Sequence, residues 1–343
     1  MSPPVLARLL DGRPLRPADI AATFDRLVDP TATDVERAAI LVAIEARSLS
    51  VPEIVAFARC LRSRAVRFPT PAGSRAIDLC GSGGAPRPSF NVSTVSAFVV
   101  AAAGVPVVKH GNRSARGLCG SSDLLEALGL PVTRSRSFAR ATYRRHGLAF
   151  LHAPLFHPAT AVVGPARRAL GVPTIFNRLG PLANPAAVPF QVAGAYDAPT
   201  AEMFSRALVR LGVRRGMSMW SADGCDEFSP LARTHVIRWD GPRRARMEVR
   251  PADYLAADDR RGAWGALTPP AAAAEAERIF AGGGGARRGS VLLTSGAALW
   301  TAGAARSLAD GIRRAEEALD SGRAATRLDG LRALAGRFPE GGT

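Results

Sequence analysis

The sequence predicts an α/β protein in two parts: a small N-terminal helical domain over residues 1–68, and a larger domain over 74–343 with a mostly parallel central sheet flanked by helices. Three observations carry this. Residues 1–66 place apolar side chains at three- and four-residue spacing, as amphipathic helices require. FPTPAGS (68–74) interrupts that pattern with proline, glycine and serine. Beyond it the grammar changes to strand, glycine-containing loop, helix and second strand, which implies a parallel βαβ unit with its loops at the carboxyl edge of the sheet. A chain of 343 residues is long enough for two such domains.

In the helical part, ARLLDGRPL, PADIAATFDRLVD, DVERAAILVAIEARSL and VPEIVAFARCLRSRAV are the four helical segments. Asp34 is a candidate N-cap ahead of AAILVAI, and Pro52 suits the first turn of the next helix. This part carries no catalytic pattern and suits a small helical domain or a dimerisation surface. In the second part, AIDLC (76–80) is a short apolar strand, STVSAFVVAAAG (93–104) a helix with a face of small residues, and VPVVKHG (105–111) a second strand. Further strands are predicted at LAFLHAP, PFQVAGAY, MSMWSAD, THVIRWD and SVLLTSG (290–296). Further helices are predicted at SDLLEALG, SFARATYRRHG, VVGPARRALG, PTAEMFSRALVRLG, AAEAERIFAG and ARSLADGIRRAEEALDSG. AGGGGARRG (281–289) reads as a surface loop, and without a preceding strand its glycines argue against a phosphate site.

Composition narrows the function. Hydrophobic residues make up 47% and charged residues 22%, which excludes wholesale disorder. No uninterrupted apolar run approaches the ~18–20 residues that span a bilayer, and Arg8 and Asp11 break the stretch a signal peptide needs. Cys60, Cys80, Cys119 and Cys225 are far apart, suggesting neither a zinc ribbon nor a disulfide framework. These features predict a soluble, cytoplasmic protein with no membrane partner. The net charge of +16 would ordinarily raise nucleic acid as a partner. Yet Lys109 is the only lysine among 45 basic residues, a swing to arginine that fits GC-rich coding. The arginines are scattered in short groups such as Arg243-Arg244-Arg246 and Arg144-Arg145, without the interleaved aromatic rings of single-strand binders. Nucleic acid is therefore set aside as the main partner, while the positive excess suits anionic metabolites.

Chemistry concentrates in loops. The first is Gly81-Ser82-Gly83-Gly84 followed by Ser89, Asn91, Ser93 and Thr94. Glycines after a strand let backbone N–H groups approach an anion, and a helix N-terminus favours phosphate; an ordinary tight turn with a Ser/Thr cap has the same local appearance. The second loop is Lys109-His110-Gly111-Asn112-Arg113-Ser114, leading to Gly120-Ser121-Ser122-Asp123. In a chain that otherwise uses arginine, the sole lysine stands at a strand end, where a compact ammonium suits a phosphate oxygen. The third element is Asp226-Glu227 after a predicted strand, a carboxylate pair that could hold Mg²⁺. The fourth is PLFHPATAVVGPARRALG, with His157 a candidate ligand contact and Arg167 a partner for a carboxylate.

Taken in order, these segments resemble the anthranilate phosphoribosyltransferase family over nearly the whole chain. Its GTGGD…NxST motif is similar to Gly81–Thr94, its KHGNR…GSxDxLEALG to Lys109–Gly129, and its FLxAxxxHPA to Phe150–Ala159. Its R…FNxLGPLxNP is similar to Arg167–Pro185, and its GxDE to Gly224–Glu227. The resemblance implies the nucleoside phosphorylase/phosphoribosyltransferase type of fold, with chain near 165–185 returning to the helical domain, and a homodimer. It implies Mg²⁺-assisted transfer of a 5-phosphoribosyl group from phosphoribosyl pyrophosphate to an aromatic acid. By position, Gly81 and Gly84 would line the pyrophosphate loop, and Ser89, Asn91, Ser93 and Thr94 would bind phosphate. Lys109, Asn112 and Arg113 would be the catalytic contacts, with Gly117 and Ser121 beside the donor. Ser93, Asp226 and Glu227 would hold metal. Asn112 and Arg167 would meet the acceptor, with His110, His157 and Pro181 near its entrance channel.

Departures from the family pattern fall inside this set. Ala85 stands where the family has an acid, Pro86 and Pro88 stiffen the first loop, and Leu118 and His152 are placed to line the acceptor side. Three functions follow: transfer to anthranilate for tryptophan synthesis, transfer to another aromatic acid in specialised metabolism, and a weakened paralogue that binds nucleic acid. Retention of Lys109, Ser93, Asp226 and Glu227 opposes the third. The KHGNR and GPLxNP segments disfavour a pyrimidine nucleoside phosphorylase.

Overall fold

The computed structural model describes residues 4–82, 87, 89–114 and 118–338. Four helices open the chain: α1 (Pro4–Leu10), α2 (Pro17–Val28), α3 (Asp34–Glu45) and α4 (Val51–Ser63). Thr33, rather than Asp34, caps α3. Its hydroxyl accepts from Glu36 N at 3.2 Å while the Glu36 carboxylate accepts from Thr33 N at 2.8 Å. Asp34 is instead the first helical residue, where its charge favours the helix dipole. Ser50 and Glu53 form the same reciprocal pair at α4, with Pro52 in the first turn. The second Glu53 oxygen accepts from Leu15 N at 2.9 Å and pins the α1–α2 connection to α4.

The chain then enters the sheet region: β1 (Ile77–Cys80), α5 (Val92–Ala102), β2 (Val107–Gly111), α6 (Ser121–Ala127), α7 (Arg136–His146), β3 (Leu148–His152) and a single turn, α8 (Ala153–Phe156). It returns to the helical part through α9 (Gly164–Leu170) and α10 (Ile175–Leu179). Val163, Ile175, Phe176 and Leu179 join Leu9, Phe24, Ile40 and Phe57 in one buried cluster, and Arg178 pairs with Glu45 on α3 at 2.6 Å. The rest comprises β4 (Phe190–Gly194), α11 (Ala198–Arg210), β5 (Arg215–Ser221), β6 (Thr234–Asp240), β7 (Arg243–Val249), α12 (Pro269–Phe280), α13 (Ala286–Thr301), α14 (Leu308–Asp320) and α15 (Arg323–Ala335).

The seven strands run in the order β3-β2-β1-β4-β5-β6-β7. β3 through β5 are parallel, and β6 and β7 are antiparallel additions. Chain order reverses between β1 and β4, so the loops after β1, β2 and β5 open beside a topological switch point.

Two further expectations are corrected. SVLLTSG (290–296) is the middle of α13, which is buried almost all round; a continuous apolar run cannot by periodicity separate a buried strand from a buried helix. The second half of AGGGGARRG is the start of that helix rather than a surface loop. Gly289 packs there so closely that a Cβ would lie 2.0 Å from Asp259 O. The edge strand β7 escaped the sequence reading because RRARMEV is mostly exposed and charged, the composition that keeps an unpaired edge from recruiting another strand.

Candidate active site

Lys109 lies on β2 with 4% of its surface exposed. Its ammonium donates to Leu79 O on β1 at 2.6 Å and to Ser93 Oγ on α5 at 3.2 Å. An ammonium carries three N–H donors, and among the described residues no further group takes the third. Ser93 and Thr94 sit in the first turn of α5, and Ser93 N donates to Glu227 Oε1 at 3.4 Å. The loop after β5 is locked by Ser221 Oγ, which donates to Glu227 O at 2.7 Å. Asp226 reaches across to the β1 loop, where Ser82 Oγ donates to its Oδ2 at 2.8 Å. Glycine is required at both contacts with this loop: a Cβ at Gly81 would lie 2.7 Å from Asp226 Oδ2, and one at Gly194 1.7 Å from Asp226 O. Strand ends on β1, β2, β4 and β5 thus build one buried cradle.

Glu227 shows what the cradle lacks. Among the described residues its buried Oε2 has no hydrogen-bond partner. Burial, reinforced by Asp226, pushes its carboxyl up to about 8, with Lys109 pulling the other way. Two adjacent carboxylates and the Ser93 hydroxyl are hard oxygen donors that fit Mg²⁺, and a cation there would relieve the repulsion. Among the described residues no third His, Cys, Asp or Glu completes a cage. Such an ion would share its coordination with water and ligand oxygens, as Mg²⁺ commonly does.

The remaining donor-side residues are more dispersed. Ser89 pairs with Gly265 in an isolated bridge. Asn91 Nδ2 donates to Cys119 O at 3.0 Å, tying the first loop to the second. Asn112 O accepts from Ser121 Oγ at 3.1 Å. Arg113 turns to α6, pairing with Asp123 at 2.8 Å and Glu126 at 2.6 Å, so its guanidinium is held by carboxylates and not by the cradle. Asp123, which the sequence reading placed in this loop without giving it a role, also accepts from Gly120 N and Ser114 N at 2.9 and 3.0 Å and shapes the loop. A capping acid three residues into the helix was the available signal. Gly84 and Gly117, and the variant positions Ala85, Pro86 and Pro88, lie outside the described residues.

A second cluster borders the first. The rings of His110 and His157 stand 5.0 Å apart between centroids. Burial lowers His110 to about 3 and His157 to about 4, so both are neutral at ordinary pH. His157 Nε2 lies 3.0 Å from Ala183 O, which makes Nε2 the protonated nitrogen. Pro181 O accepts from the buried Gln191 Nε2 at 2.6 Å. Arg167 lies over the Phe176 ring at 5.1 Å and 3.5 Å from Asn177 Oδ1. Among the described residues it pairs with no carboxylate, and burial lowers its pKa. His152 bonds to Ser122 Oγ through Nδ1 at 2.8 Å and lines a small cavity of about 10 Å³ with Lys109, Gly111 and Ser121. Leu118 is 60% exposed.

Comparison with known proteins agrees with this architecture. Residues 3–65 match the helical bundle domain of a glycosyl transferase family, and residues 73–325 match its a/b domain. The anthranilate phosphoribosyltransferase of Rhodospirillum rubrum is 38% identical over 336 residues, covering 97% of this chain and 95% of its own. That of Methylobacterium radiotolerans is 40% identical over 334 residues, covering 95% and 94%. The crystal structure of the anthranilate phosphoribosyltransferase from Thermus thermophilus superposes with a TM-score of 0.88 at 32% identity, over 98% of this chain and 99% of that one. The Saccharomyces cerevisiae enzyme in complex with PRPP and Mg gives a TM-score of 0.84, covering 94% of each chain; at 23% identity this is a likeness of fold. The protein is a phosphoribosyltransferase of two-domain glycosyl transferase architecture. Within that class, the chain belongs to the anthranilate phosphoribosyltransferase family.

Proposed function

We propose that the protein transfers the 5-phosphoribosyl group of phosphoribosyl pyrophosphate to the amine of anthranilate, releasing pyrophosphate, in tryptophan biosynthesis. The observation that supports it most is the buried juxtaposition of Lys109, Ser93, Asp226 and Glu227 at the switch point. The donor's C1 loses pyrophosphate while the acceptor nitrogen attacks the opposite face through an oxocarbenium-like state. Ser93, Asp226 and Glu227 would hold Mg²⁺, which would supply neutralisation of charge on the leaving group. The spare N–H of Lys109 and the amides at the start of α5 stabilise the same charge from the protein side. A neutral arylamine is already nucleophilic, so no strong general base is needed, in keeping with uncharged His110 and His157. Arg167, which pairs with no carboxylate among the described residues, takes the acceptor's carboxylate. Closure of the helical part over the cradle excludes water as a competing nucleophile.

The working form is a cytoplasmic homodimer joined through the helical domain. Val35 and Val42 on α3 are 80% and 49% exposed, and Leu10, on the neighbouring α1, is 70% exposed. A second reading, transfer to a different aromatic acid, is favoured by Ala85, Leu118 and His152 in and around the loops. One experiment separates the two: pyrophosphate release from the donor and Mg²⁺ with a panel of aromatic acids. Efficient turnover of anthranilate supports the first reading, and turnover of another acid alone supports the second. No release with any acid defeats both.

A further inference from the structure

Asp78 lies in the middle of β1 with 1% of its surface exposed, and the chemistry above makes no use of it. A carboxyl at that depth is costly unless its oxygens are matched. Here the matching groups come from separate parts of the chain. The backbone N–H of His110, at the end of β2, donates to Oδ1 at 3.3 Å. The amide of Asn184, just beyond the turn that carries Pro181, donates to Val108 O at 2.8 Å, and it favours the charged Asp78 carboxyl against the burial that raises its pKa. The Lys109 ammonium attracts it from the donor cradle. Arg62, on α4 of the helical part, interacts with the same carboxylate and donates to Leu182 O at 2.6 Å. One buried side chain therefore bonds to the strand bearing Lys109 and His110 and lies within electrostatic reach of the segment bearing Pro181 and of the helical domain.

We propose that Asp78 is a positioning residue that sets the acceptor-side segment against the donor cradle. The inference rests on the transferase reading. At 1% exposure Asp78 is placed to act through its neighbours rather than by touching a substrate. What it controls is the alignment of the attacking nitrogen with C1, where a misplacement of about 1 Å costs about 10²-fold in rate. The Gln191 amide, paired beside Asp78 on β4, holds Pro181 O and fixes the same segment at a second point.

The test is a double-variant cycle. Asp78→Asn replaces one acceptor oxygen by an NH₂ group that faces other donors. It is expected to lower kcat by about 10–100-fold while the calorimetric Kd for phosphoribosyl pyrophosphate with Mg²⁺ shifts by less than about threefold. Asn184→Ala removes the same contact from the other side and is expected to show the same split. Asn184 also bonds Val108 O and Asp78 also bonds His110 N, so only the shared part is non-additive: the double variant should lose less than the product of the two single losses. Unchanged kcat in the single variants, multiplicative losses in the double, or donor affinity falling in step with kcat would each overturn the proposal. If Asp78→Asn does not fold, Asn184→Ala decides by the same split. A wild type that turns over no acceptor would overturn the functional reading instead, before any variant is compared.

Discussion

Replacing Lys109 by arginine preserves the charge, yet the structure requires a large loss. The ammonium is wedged between Leu79 O at 2.6 Å and Ser93 Oγ at 3.2 Å, with 4% exposure. Arginine adds two heavy atoms and a rigid plane. The adjoining cavity, about 10 Å³, has about the room of one water molecule and cannot take them. The guanidinium must displace Ser93, and in the proposed reaction the site then loses a donor aimed at the departing pyrophosphate. Loss of one such donor costs about 2.7–4 kcal/mol, or about 10²–10³ in rate. Initial rates of pyrophosphate release at varied donor and saturating acceptor give kcat/KM, and its ratio to wild type gives the lost transition-state stabilisation. Thermal unfolding monitored in parallel separates a catalytic loss from a folding one. A Lys109→Arg enzyme within about fivefold of wild type, with unchanged donor KM, would refute the reasoning.

Arg167→Gln should raise the acceptor KM by about 10–100-fold, the worth of a hydrogen bond to a charged group, while the donor KM stays put; a matched rise in both would remove Arg167 from the acceptor site. Glu227→Gln should abolish more than about 99% of the activity, since even partners of a metal ligand are worth about 10–100-fold. In the metal-free protein the Glu227 carboxyl, raised from 4.5 to about 8, makes stability fall as pH rises through that window. The Gln variant should lack this slope, as unfolding followed between pH 5 and 8 would reveal. His110 and His157, lowered from 6.5 to about 3 and about 4, have the opposite sign. The stability they contribute is complete above about 6.5 and drains as pH falls toward 4, whereas acceptor kcat/KM should stay flat from pH 6.5 to 8 unless one of them titrates there. Gly194→Ala places a Cβ 1.7 Å from Asp226 O. It should cost about 1–3 kcal/mol in stability and most of the Mg²⁺-dependent activity, and a thermal midpoint equal to wild type would contradict the packing.

The helices of the first part were legible in their periodic apolar faces, and α4 also in Pro52 at its first turn. The N-cap of α3 was misplaced by one residue because Thr33 and Asp34 are both capping types, and only the Glu36 pairing chooses between them. The loops were legible as phosphate-binding grammar, and the structure does bring Lys109, Ser93, Asp226 and Glu227 together. Arg113 shows where that reading ends: its sequence neighbours suggest a ligand contact, but α6 offers it two carboxylates closer at hand. The SVLLTSG run shows a different ending. Its apolar residues satisfy either a strand or a helix, and the choice falls to packing between α13 and α14, where a Cβ on Gly311 would lie 2.3 Å from Gly296 O.

Local chemistry alone marked most of the helices and the strand-end loops, and showed that the residue types in those loops suit an anion and a hard cation. It could not determine that β4 would lie beside β1, because strand order depends on contacts between residues more than a hundred positions apart. That placement closes the Asp226 loop over Gly81 and sets Asp78 among Lys109, Asn184 and Arg62. The reason is that a buried charge has no preference readable from its neighbours in sequence; its energy is set by the groups that folding packs around it.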